Sequence, residues 1–337
     1  MSKLKATPED VRYAYRLLLG REPDQEGLRH YREVVARQVP SPEDIAKSLM
    51  DSTEFRERHG VLTQADCGHP PRPGEVTLSC QACTKAQLES PVFRHWASAL
   101  REKPAGLHRK LWEWCFIVQA LYERGKLDGG ARGLGFAVGT EPLSSLFALR
   151  GCSIVASDIG LDIARDAGWV DTNQHALGLA QLNRKGLCPA KEFEARVSFR
   201  EVDMRAIPED LRGFDFLWSS CALEHLGSIG HGMDFVVNAM NCLAPGGVAV
   251  HTTELNCESD EHTIETGGSV IYRKRDLLEL AARLEREGYL VEPMNFELGD
   301  SEADRHVDEP PYTSLHLKLR IGSFASTSFG LIITKRN

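Results

Sequence analysis

The stretch that most constrains the fold runs from Gly133 to Gly139 and reads Gly-Leu-Gly-Phe-Ala-Val-Gly. Here an apolar segment ends in a turn of small residues. A second apolar run, residues 152–157, follows and ends in Asp158. A strand, a small-residue turn, a helix and a second strand that ends in an acid are typical of a nucleotide-binding α/β sheet. Because such a turn is a weak signal alone, its meaning depends on the rest of the chain.

Downstream of residue 131, short apolar segments alternate with helical ones. Strands are predicted at 132–138, 153–158, 196–202, 214–220, 247–253, 313–322 and 328–335, and helices at 142–150, about 174–185, 233–243 and 274–288. This alternation predicts a parallel sheet wound by crossover helices. The last two strands have no helix between them, so they predict an antiparallel hairpin. The fold class is therefore α/β: a seven-stranded, mostly parallel, doubly wound, Rossmann-like sheet with a C-terminal antiparallel hairpin.

The N-terminal residues 1–60 predict a separate small all-α domain. Thr7-Pro-Glu-Asp10 is a helix start signal, and Ser41-Pro-Glu-Asp44 repeats it. After the first signal, Val11, Tyr15, Leu18 and Leu19 fall on one helical face. Residues 61–90 show little periodicity and predict a linker or cap, residues 91–130 predict a helical cap, and 131–337 the sheet.

Composition excludes some classes of partner. The chain has 337 residues and a net charge of −8, with 12 histidines counted neutral. An acidic chain argues against nucleic acid as the main partner, because phosphate binding needs a basic surface. No apolar run approaches the length of a membrane span, and the N-terminus lacks an apolar signal core. We therefore predict a cytoplasmic protein.

The cysteines allow two interpretations. Nine are present, and Cys115, Cys152, Cys221 and Cys242 lie in apolar segments typical of small buried hydrophobes. Cys67-Gly-His69 and Cys80-Gln-Ala-Cys83 offer potential ligands for a structural zinc ion. Cys-x-His is poor spacing for two ligands of one tetrahedral ion, so these residues are otherwise plain linker cysteines. No metal ligand is assigned to the predicted active site.

Further motifs follow the small-residue turn in order. The sequence Val202-Asp203-Met204 follows the third predicted strand, Glu224-His225 follows the fourth, and Pro245-Gly-Gly247 precedes the fifth. With Gly135, Ala137 and Gly139 in the turn and Asp158 after the second strand, residues 131–337 resemble a class I S-adenosylmethionine-dependent methyltransferase. The methyltransferase domain would then span 91–337, including the helical cap.

The resemblance implies S-adenosyl-L-methionine as the cofactor. In this family the residues at Gly135, Ala137 and Gly139 let the backbone approach the methionine part of the cofactor. The family's leading acid is absent, because Gly133 stands in its place, and Glu141 could substitute for it.

Other positions would hold the nucleoside. Asp158 would accept the ribose hydroxyls, and Asp203 would accept the adenine amino group while Met204 packs on the ring. Ser219 and Ser220 lie at the carboxyl end of the fourth strand, where ligands bind in such sheets.

Candidate catalytic residues are His225, His251 and Glu254. His225 belongs to a dipeptide common in the family, where its role is often structural. His251 and Glu254 bring polar groups to the end of the fifth strand, either to bind an acceptor or, with a neighbour, a divalent metal. The polar cluster His108-Arg-Lys110 either faces solvent or reaches the cofactor carboxylate or the acceptor.

The N-terminal segment carries a second resemblance. Residues Tyr15 to Leu28 fit the pattern Tyr-x-x-Leu-Leu-Gly-Arg-x-Pro-Asp-x-x-Gly-Leu, and Ser52-Thr-Glu-Phe55 follows. This is similar to a small domain of unknown function in bacterial surface and glycan-associated proteins. It implies polysaccharide biosynthesis, or else a module for protein docking or packing.

Three functions remain open at this point. The first is O-methylation of a sugar or glycan precursor. The second is N- or O-methylation of a small metabolite, and the third is a non-catalytic S-adenosylmethionine-binding module.

Overall fold

The computed structural model describes residues 5–25, 27–31, 40–50, 52, 54, 75–102, 107–161, 175–176, 178–312 and 315–337. The chain divides into two compact units, Met1–Cys67 and Gly68–Asn337. No helix in the described ranges has the length and apolar character needed to cross a membrane.

The first unit contains helices α1 (Pro8–Leu19) and α2 (Pro42–Met50). The Thr7 side chain accepts a hydrogen bond from the Asp10 backbone and caps α1, as the start signal predicts. The predicted apolar face of α1 is buried, except that Leu18 is only partly so. The two helices enclose a small core comprising Ala6, Val11, Ala14, Tyr15, Leu19, Tyr31, Ile45 and Leu49.

The spacing of residues after Tyr15 has a local physical explanation. Gly20 ends α1 with φ +59°, a conformation that favours glycine. Arg21 pairs with Glu54. A Cβ on Gly27 would lie 2.5 Å from the Tyr15 hydroxyl, so a larger residue does not fit there. Phe55, the last residue of the predicted pattern, lies outside the described residues.

The second unit is built on one sheet. Its strands are β1 (Cys80–Ala82), β2 (Arg132–Phe136), β3 (Ser153–Asp158), β4 (Val197–Glu201), β5 (Phe214–Ser220), β6 (Leu243–Asn256), β7 (Leu290–Val291), β8 (Met294–Asn295), β9 (Val307–Asp308), β10 (Lys318–Ile321) and β11 (Phe324–Thr334). Its helices are α3 (Lys85–Leu88), α4 (Pro91–Ala99), α5 (Arg109–Glu123), α6 (Leu143–Leu149), α7 (Ala190–Arg196), α8 (Ile229–Ala239), α9 (Lys274–Arg286) and α10 (Glu302–Arg305). Short 3₁₀ helices lie at Leu179–Asn183, Leu223–His225 and Met240–Cys242.

The sheet confirms the predicted fold class. Its main strand order is β4-β3-β2-β5-β6-β11-β1-β8. Strands β2 to β6 pair in parallel, whereas β11 runs antiparallel to both β6 and β10. The predicted C-terminal hairpin is therefore β10 and β11, joined at residues 322–323. The protein has a doubly wound, mostly parallel α/β sheet that ends in an antiparallel pair.

The described sheet has eleven strands in place of the predicted seven, because it holds short strands that the sequence pattern did not predict. β1 lies inside the segment predicted as a linker or cap and pairs with β11 through Gln81 and Gly330. β7 pairs further along β11, at Ile333 and Thr334. Strands of two or three residues are too short to show a period-two pattern, and they form here because β11 offers a long edge.

The position of β1 bears on the predicted zinc ligands. The Cys80 thiol is fully buried, and the Ile332 backbone N–H donates to its Sγ at 3.2 Å. Cys83 is also buried. Cys67 and His69 lie outside the described residues, so the zinc hypothesis stays a prediction.

Helices pack on both faces of the sheet. On one face, the α5 residue Phe116 packs over Gly330, where a Cβ would lie 2.2 Å from the ring. On the other face, the α8 residue Phe235 packs edge-on against Phe136 and His251. Because side chains alternate along a strand, neighbouring residues of β5 and β6 face different helices.

Candidate active site

A cavity of about 600 Å³ opens at the carboxyl ends of the parallel strands. This is where ligands bind in doubly wound sheets. The cavity extends from the turn after β2 to the ends of β5 and β6 and the start of α5. Its lining includes Gly139, Glu141, Asp158, Lys110, Glu224 and Glu254.

The turn after β2 forms one wall of the cavity. Ala137 and Gly139 both have left-handed backbone, with φ +47° and φ +51°, and both line the cavity. Gly135 lies inside β2 instead, where a Cβ would stand 2.4 Å from the Trp218 ring. Its small size therefore serves packing beneath the turn, while the other two residues bring the backbone to the cavity.

The Asp158 carboxylate is fixed beside this turn. It accepts backbone N–H groups from Gly139 at 3.0 Å, Ile159 at 2.9 Å and Ala176 at 3.4 Å. Burial raises the pKa of Asp158, and the backbone N–H donors oppose that rise. Because the N–H groups orient the carboxylate, the protein presents a positioned acceptor at the end of β3.

Two buried polar atoms in this part of the cavity have no hydrogen-bond partner within the described structure. His175 is held through Nε2 by the Ile159 carbonyl at 2.7 Å, and its Nδ1 has no partner. The Trp114 indole Nε1 interacts with the Glu141 carboxyl but makes no hydrogen bond of normal geometry. Buried polar atoms are normally paired, so water or a bound ligand would complete such atoms in a cavity wall.

Glu141 is buried against the Trp218 indole, which donates to it at 2.7 Å. Burial raises the pKa of Glu141 to about 8. The side chain is therefore mostly neutral at pH 7, unless a cation is placed beside it.

This pKa predicts an unusual dependence of stability on pH. The folded state holds a proton on Glu141 that the unfolded state releases near its ordinary pKa of 4.5, so stability should fall as pH rises from about 4.5 to 8. Urea unfolding at a series of pH values from 5 to 8 gives the slope of the free energy of unfolding against pH. In Glu141→Gln the total fall over this range should be smaller by on the order of 1–3 kcal/mol. The exposed control Glu297→Gln should keep the wild-type slope. Equal slopes in wild type and Glu141→Gln would contradict the raised pKa.

The polar cluster at the start of α5 lines the cavity, although His108 and Lys110 also remain partly exposed to solvent. The Arg109 guanidinium pairs with Glu254, and Lys110 Nζ lies 2.6 Å from Glu113 Oε2. The Ser220 and Ser328 hydroxyls donate to Glu113 at 3.1 and 2.6 Å. Each cation thus has a buried carboxylate partner.

The charges of this cluster hold Glu113 ionised. Burial alone would raise the pKa of Glu113, but Lys110 and Arg109 outweigh it and lower that pKa to about 2. The Ser220 and Ser328 hydroxyls, which donate to this ionised carboxylate, tie α5 to β5 and β11.

The loop after β5 supplies the acidic end of the cavity. Glu224 is 1% exposed and accepts from the Thr253 hydroxyl at 3.2 Å through Oε2, while its Oε1 has no hydrogen-bond partner among the described residues. His225 also lines the cavity, and its Nδ1 lies 2.7 Å from the Gly268 carbonyl. Donation from Nδ1 leaves Nε2 as the basic nitrogen of the neutral ring.

Some predicted site residues do not line the cavity. His251 is fully buried on the α8 face, 2.8 Å from the Ser219 hydroxyl, and burial lowers its pKa to about 3. Ser219 and His251 are register partners, so both point away from Ser220 and Glu254. His251 and Glu254 are three positions apart on one strand and therefore face opposite sides. The structure therefore gives no support to His251 as a base or as a shared metal ligand with Glu254.

Only part of the segment predicted to contact adenine, residues 202–204, lines the cavity. Val202 and Met204 line it. Asp203 does not, and its carboxylate instead accepts from Arg205 at 3.2 and 3.0 Å. Asp203 as an adenine contact stays a prediction.

The structure adds site residues that the sequence pattern missed. Cys221, expected to be a small buried hydrophobe, lines the cavity with φ +45° directly after β5. His108 also lines the cavity, and its ring lies 4.7 Å from the ring of His316, whose Nδ1 lies 2.6 Å from Asp308 Oδ2. The His108–His316 contact joins segments far apart in the chain, so no local spacing could indicate it.

Comparison with known proteins gives one family match. Residues 5–59 match the family described as "Domain of unknown function (DUF4214)", which confirms the predicted resemblance of the N-terminal segment to such a domain. The matched region is a minor part of the chain. No curated protein matches the sequence.

Among solved structures, the chain is similar in fold to several proteins at low identity. A putative S-adenosylmethionine-dependent methyltransferase from Listeria monocytogenes is 13% identical over 68% of this chain and 98% of its own, with a TM-score of 0.43. The glycopeptide N-methyltransferase MtfA is 13% identical over 61% and 89%, with a TM-score of 0.37. The [4+2]-cyclase SpnF is 21% identical over 50% and 54%, with a TM-score of 0.34. A function has to be argued from the residues of the site.

Proposed function

We propose that the second unit is an S-adenosylmethionine-dependent methyltransferase. The observation that carries the proposal is the Asp158 carboxylate, oriented by backbone N–H groups beside the Ala137–Gly139 turn. Such a pair would suit a ligand with vicinal hydroxyls that approaches the backbone closely. Both line one cavity, to which Met204 and the Glu224-His225 pair also contribute.

The residues present fit such a cofactor. Asp158 would accept the ribose hydroxyls, and Met204 offers an apolar surface for the base. Lys110 and Arg109 lie on the cavity wall, where they can approach the cofactor carboxylate. Glu141 would meet the ammonium group, and a cation there would favour its ionised form.

When bound, the cofactor supplies a methyl group already activated by its sulfonium sulfur. The chain must then orient an acceptor and remove its proton. Orientation contributes several kcal/mol, and a general base contributes about 10²–10⁴-fold. His225 is the proposed base, because it lines the cavity and its Nδ1 contact favours the tautomer that is basic at Nε2. Glu254 would contact the acceptor.

For the acceptor, we favour a hydroxyl of a sugar or glycan precursor. The support is the N-terminal segment, which matches a domain of unknown function. Its resemblance to a domain of glycan-associated proteins is an argument by association. The same segment would serve in protein docking. A small metabolite methylated on nitrogen or oxygen is the second candidate, because the cavity volume suits a small acceptor beside the cofactor. A cofactor-binding module without catalysis is a third.

The test has two parts. S-adenosylmethionine should bind the purified chain measurably by calorimetry, and a cofactor-consumption screen across sugar nucleotides, glycans and amines should find an acceptor. Absence of binding at millimolar cofactor would end the methyltransferase proposal. Binding without turnover on any acceptor would favour the non-catalytic module.

The role of His225 has its own prediction. His225→Ala should lower kcat by about 10²–10⁴-fold and leave the Kd for the cofactor nearly unchanged, because a base acts on the acceptor proton. His231→Ala is the matched control, since His231 is exposed at the start of α8 and its ring lies 3.1 Å from the Leu226 carbonyl. An equal loss of turnover and cofactor affinity would reassign His225 to cofactor contact.

A further inference from the structure

Three potential metal ligands converge at the acidic end of the cavity. They are Cys221 directly after β5, Glu224 in the following 3₁₀ helix, and Glu254 near the end of β6. One ligand atom from each lies within 4.8 Å of the others. All three residues line the cavity. The carboxyl ends of two adjacent parallel strands create this convergence, and β5 pairs directly with β6.

An independent observation shows that this cluster is incomplete. Glu224 is 1% exposed, lines the cavity and has an Oε1 without a hydrogen-bond partner in the described part of the chain. Leaving a carboxylate oxygen buried and unpaired is costly, and native structures avoid it. A bound cation would satisfy that oxygen.

Neighbouring hydroxyl groups contact each of the three candidate metal-binding side chains. Thr253 donates to Glu224 Oε2 at 3.2 Å, and Ser326 donates to Glu254 Oε2 at 2.6 Å. The Thr252 hydroxyl lies 3.7 Å from Cys221 Sγ. Outer contacts of this kind orient metal ligands and leave their remaining lone pairs for the ion.

The local charges also suit a divalent cation. When a metal–sulfur bond forms, the Cys221 thiol loses its proton to solvent. The thiolate and the two carboxylates then carry three negative charges, which a divalent cation and the Arg109 guanidinium together balance. Lys110 does not disturb this balance, because it is already paired with Glu113.

We propose that Cys221, Glu224 and Glu254 bind one divalent cation of the zinc class. A thiolate ligand favours zinc over magnesium or calcium. Ligand atoms around tetrahedral zinc are about 3.5 Å apart, so the side chains need to close by roughly 1 Å. Three protein ligands leave a fourth position open to the cavity, as in catalytic zinc sites. The site does not depend on the methyltransferase proposal.

The test measures metal binding without cofactor or acceptor. The full chain is purified without a metal-affinity tag, stripped with a chelator and titrated with Zn²⁺ and, separately, with Co²⁺. Wild type should show a thiolate-to-cobalt charge-transfer band, which Cys221→Ser should lose together with more than tenfold in Zn²⁺ affinity. Glu224→Gln should keep the band and also bind Zn²⁺ more than tenfold more weakly.

Cys67→Ser is the matched control, because Cys67 belongs to the alternative zinc ligands of the N-terminal half. It should retain the cobalt band and the Zn²⁺ affinity of this site. Circular dichroism checks the fold, and Glu224→Gln decides the matter if Cys221→Ser does not fold. The proposal is overturned if stripped wild type takes up no metal, or if Cys221→Ser binds Zn²⁺ and Co²⁺ as wild type does.

Discussion

Asp158→Ala should bind S-adenosylmethionine about 100-fold more weakly than the wild-type chain, as measured by calorimetry at neutral pH. Hydrogen bonds to a charged group contribute about 1.5–3 kcal/mol each, and the carboxylate would accept from ribose hydroxyls. The variant also frees the N–H groups of Gly139 and Ile159, which the carboxylate now holds. Loss of affinity would therefore combine a missing acceptor with a less ordered turn.

Two further variants separate these contributions. Asp158→Asn keeps one acceptor oxygen and nearly the same shape, so its affinity should fall by only about tenfold. Asp210→Ala removes an exposed carboxylate that pairs with Arg200, and it should leave the Kd unchanged. If Asp158→Ala bound S-adenosylmethionine as tightly as the wild-type chain does, the Asp158 carboxylate would no longer support the proposed function.

Glu113→Ala should lower the free energy of unfolding by about 2–4 kcal/mol, because it leaves the buried Ser220 and Ser328 hydroxyls without their acceptor and Lys110 without its ion-pair partner. Glu113 is fully buried and contacts Lys110, Ser220 and Ser328, which belong to α5, β5 and β11. Urea unfolding at pH 7 measures the effect. Exposed Glu287, mutated to Ala, should change stability by less than about 0.5 kcal/mol.

The pH dependence tests the cause. The pKa of Glu113 is about 2 in the folded protein, below its ordinary 4.5. Its stabilisation should therefore be complete above pH 4.5 and fade as pH falls towards 2. The difference between wild type and Glu113→Ala should accordingly shrink between pH 5 and pH 3. A difference that is independent of pH would indicate lost packing in place of the ion pair.

Strong local patterns predicted most of the sheet correctly. Strand β3 matches its predicted range, 153–158, and β5 matches 214–220. The start signal Thr7-Pro-Glu-Asp10 predicts α1, and the structure contains the corresponding cap. Such features depend on neighbours within a few residues, so sequence spacing is sufficient to find them.

The sequence was less informative about side-chain direction. It placed His251 and Glu254 together because both follow an apolar run, yet they face opposite sides of β6, and only Glu254 lines the cavity. Ser219 and Ser220 likewise face opposite sides of β5, and of the two only Ser220 lines the cavity. The polar ending of a strand indicates a site nearby, whereas the pleat decides which residue enters it.

By itself, the sequence determined the doubly wound sheet and the Gly133–Gly139 turn with Asp158 at the next strand end. These follow from periodicity and from the backbone freedom of small residues, which are local properties. Only the tertiary structure decided that Ser220 and Ser328 donate to Glu113, and that Cys221 and Glu224 meet Glu254 at one end of the cavity. Those contacts join segments that are distant in the chain, and pairing in the sheet, rather than any sequence spacing, brings them together.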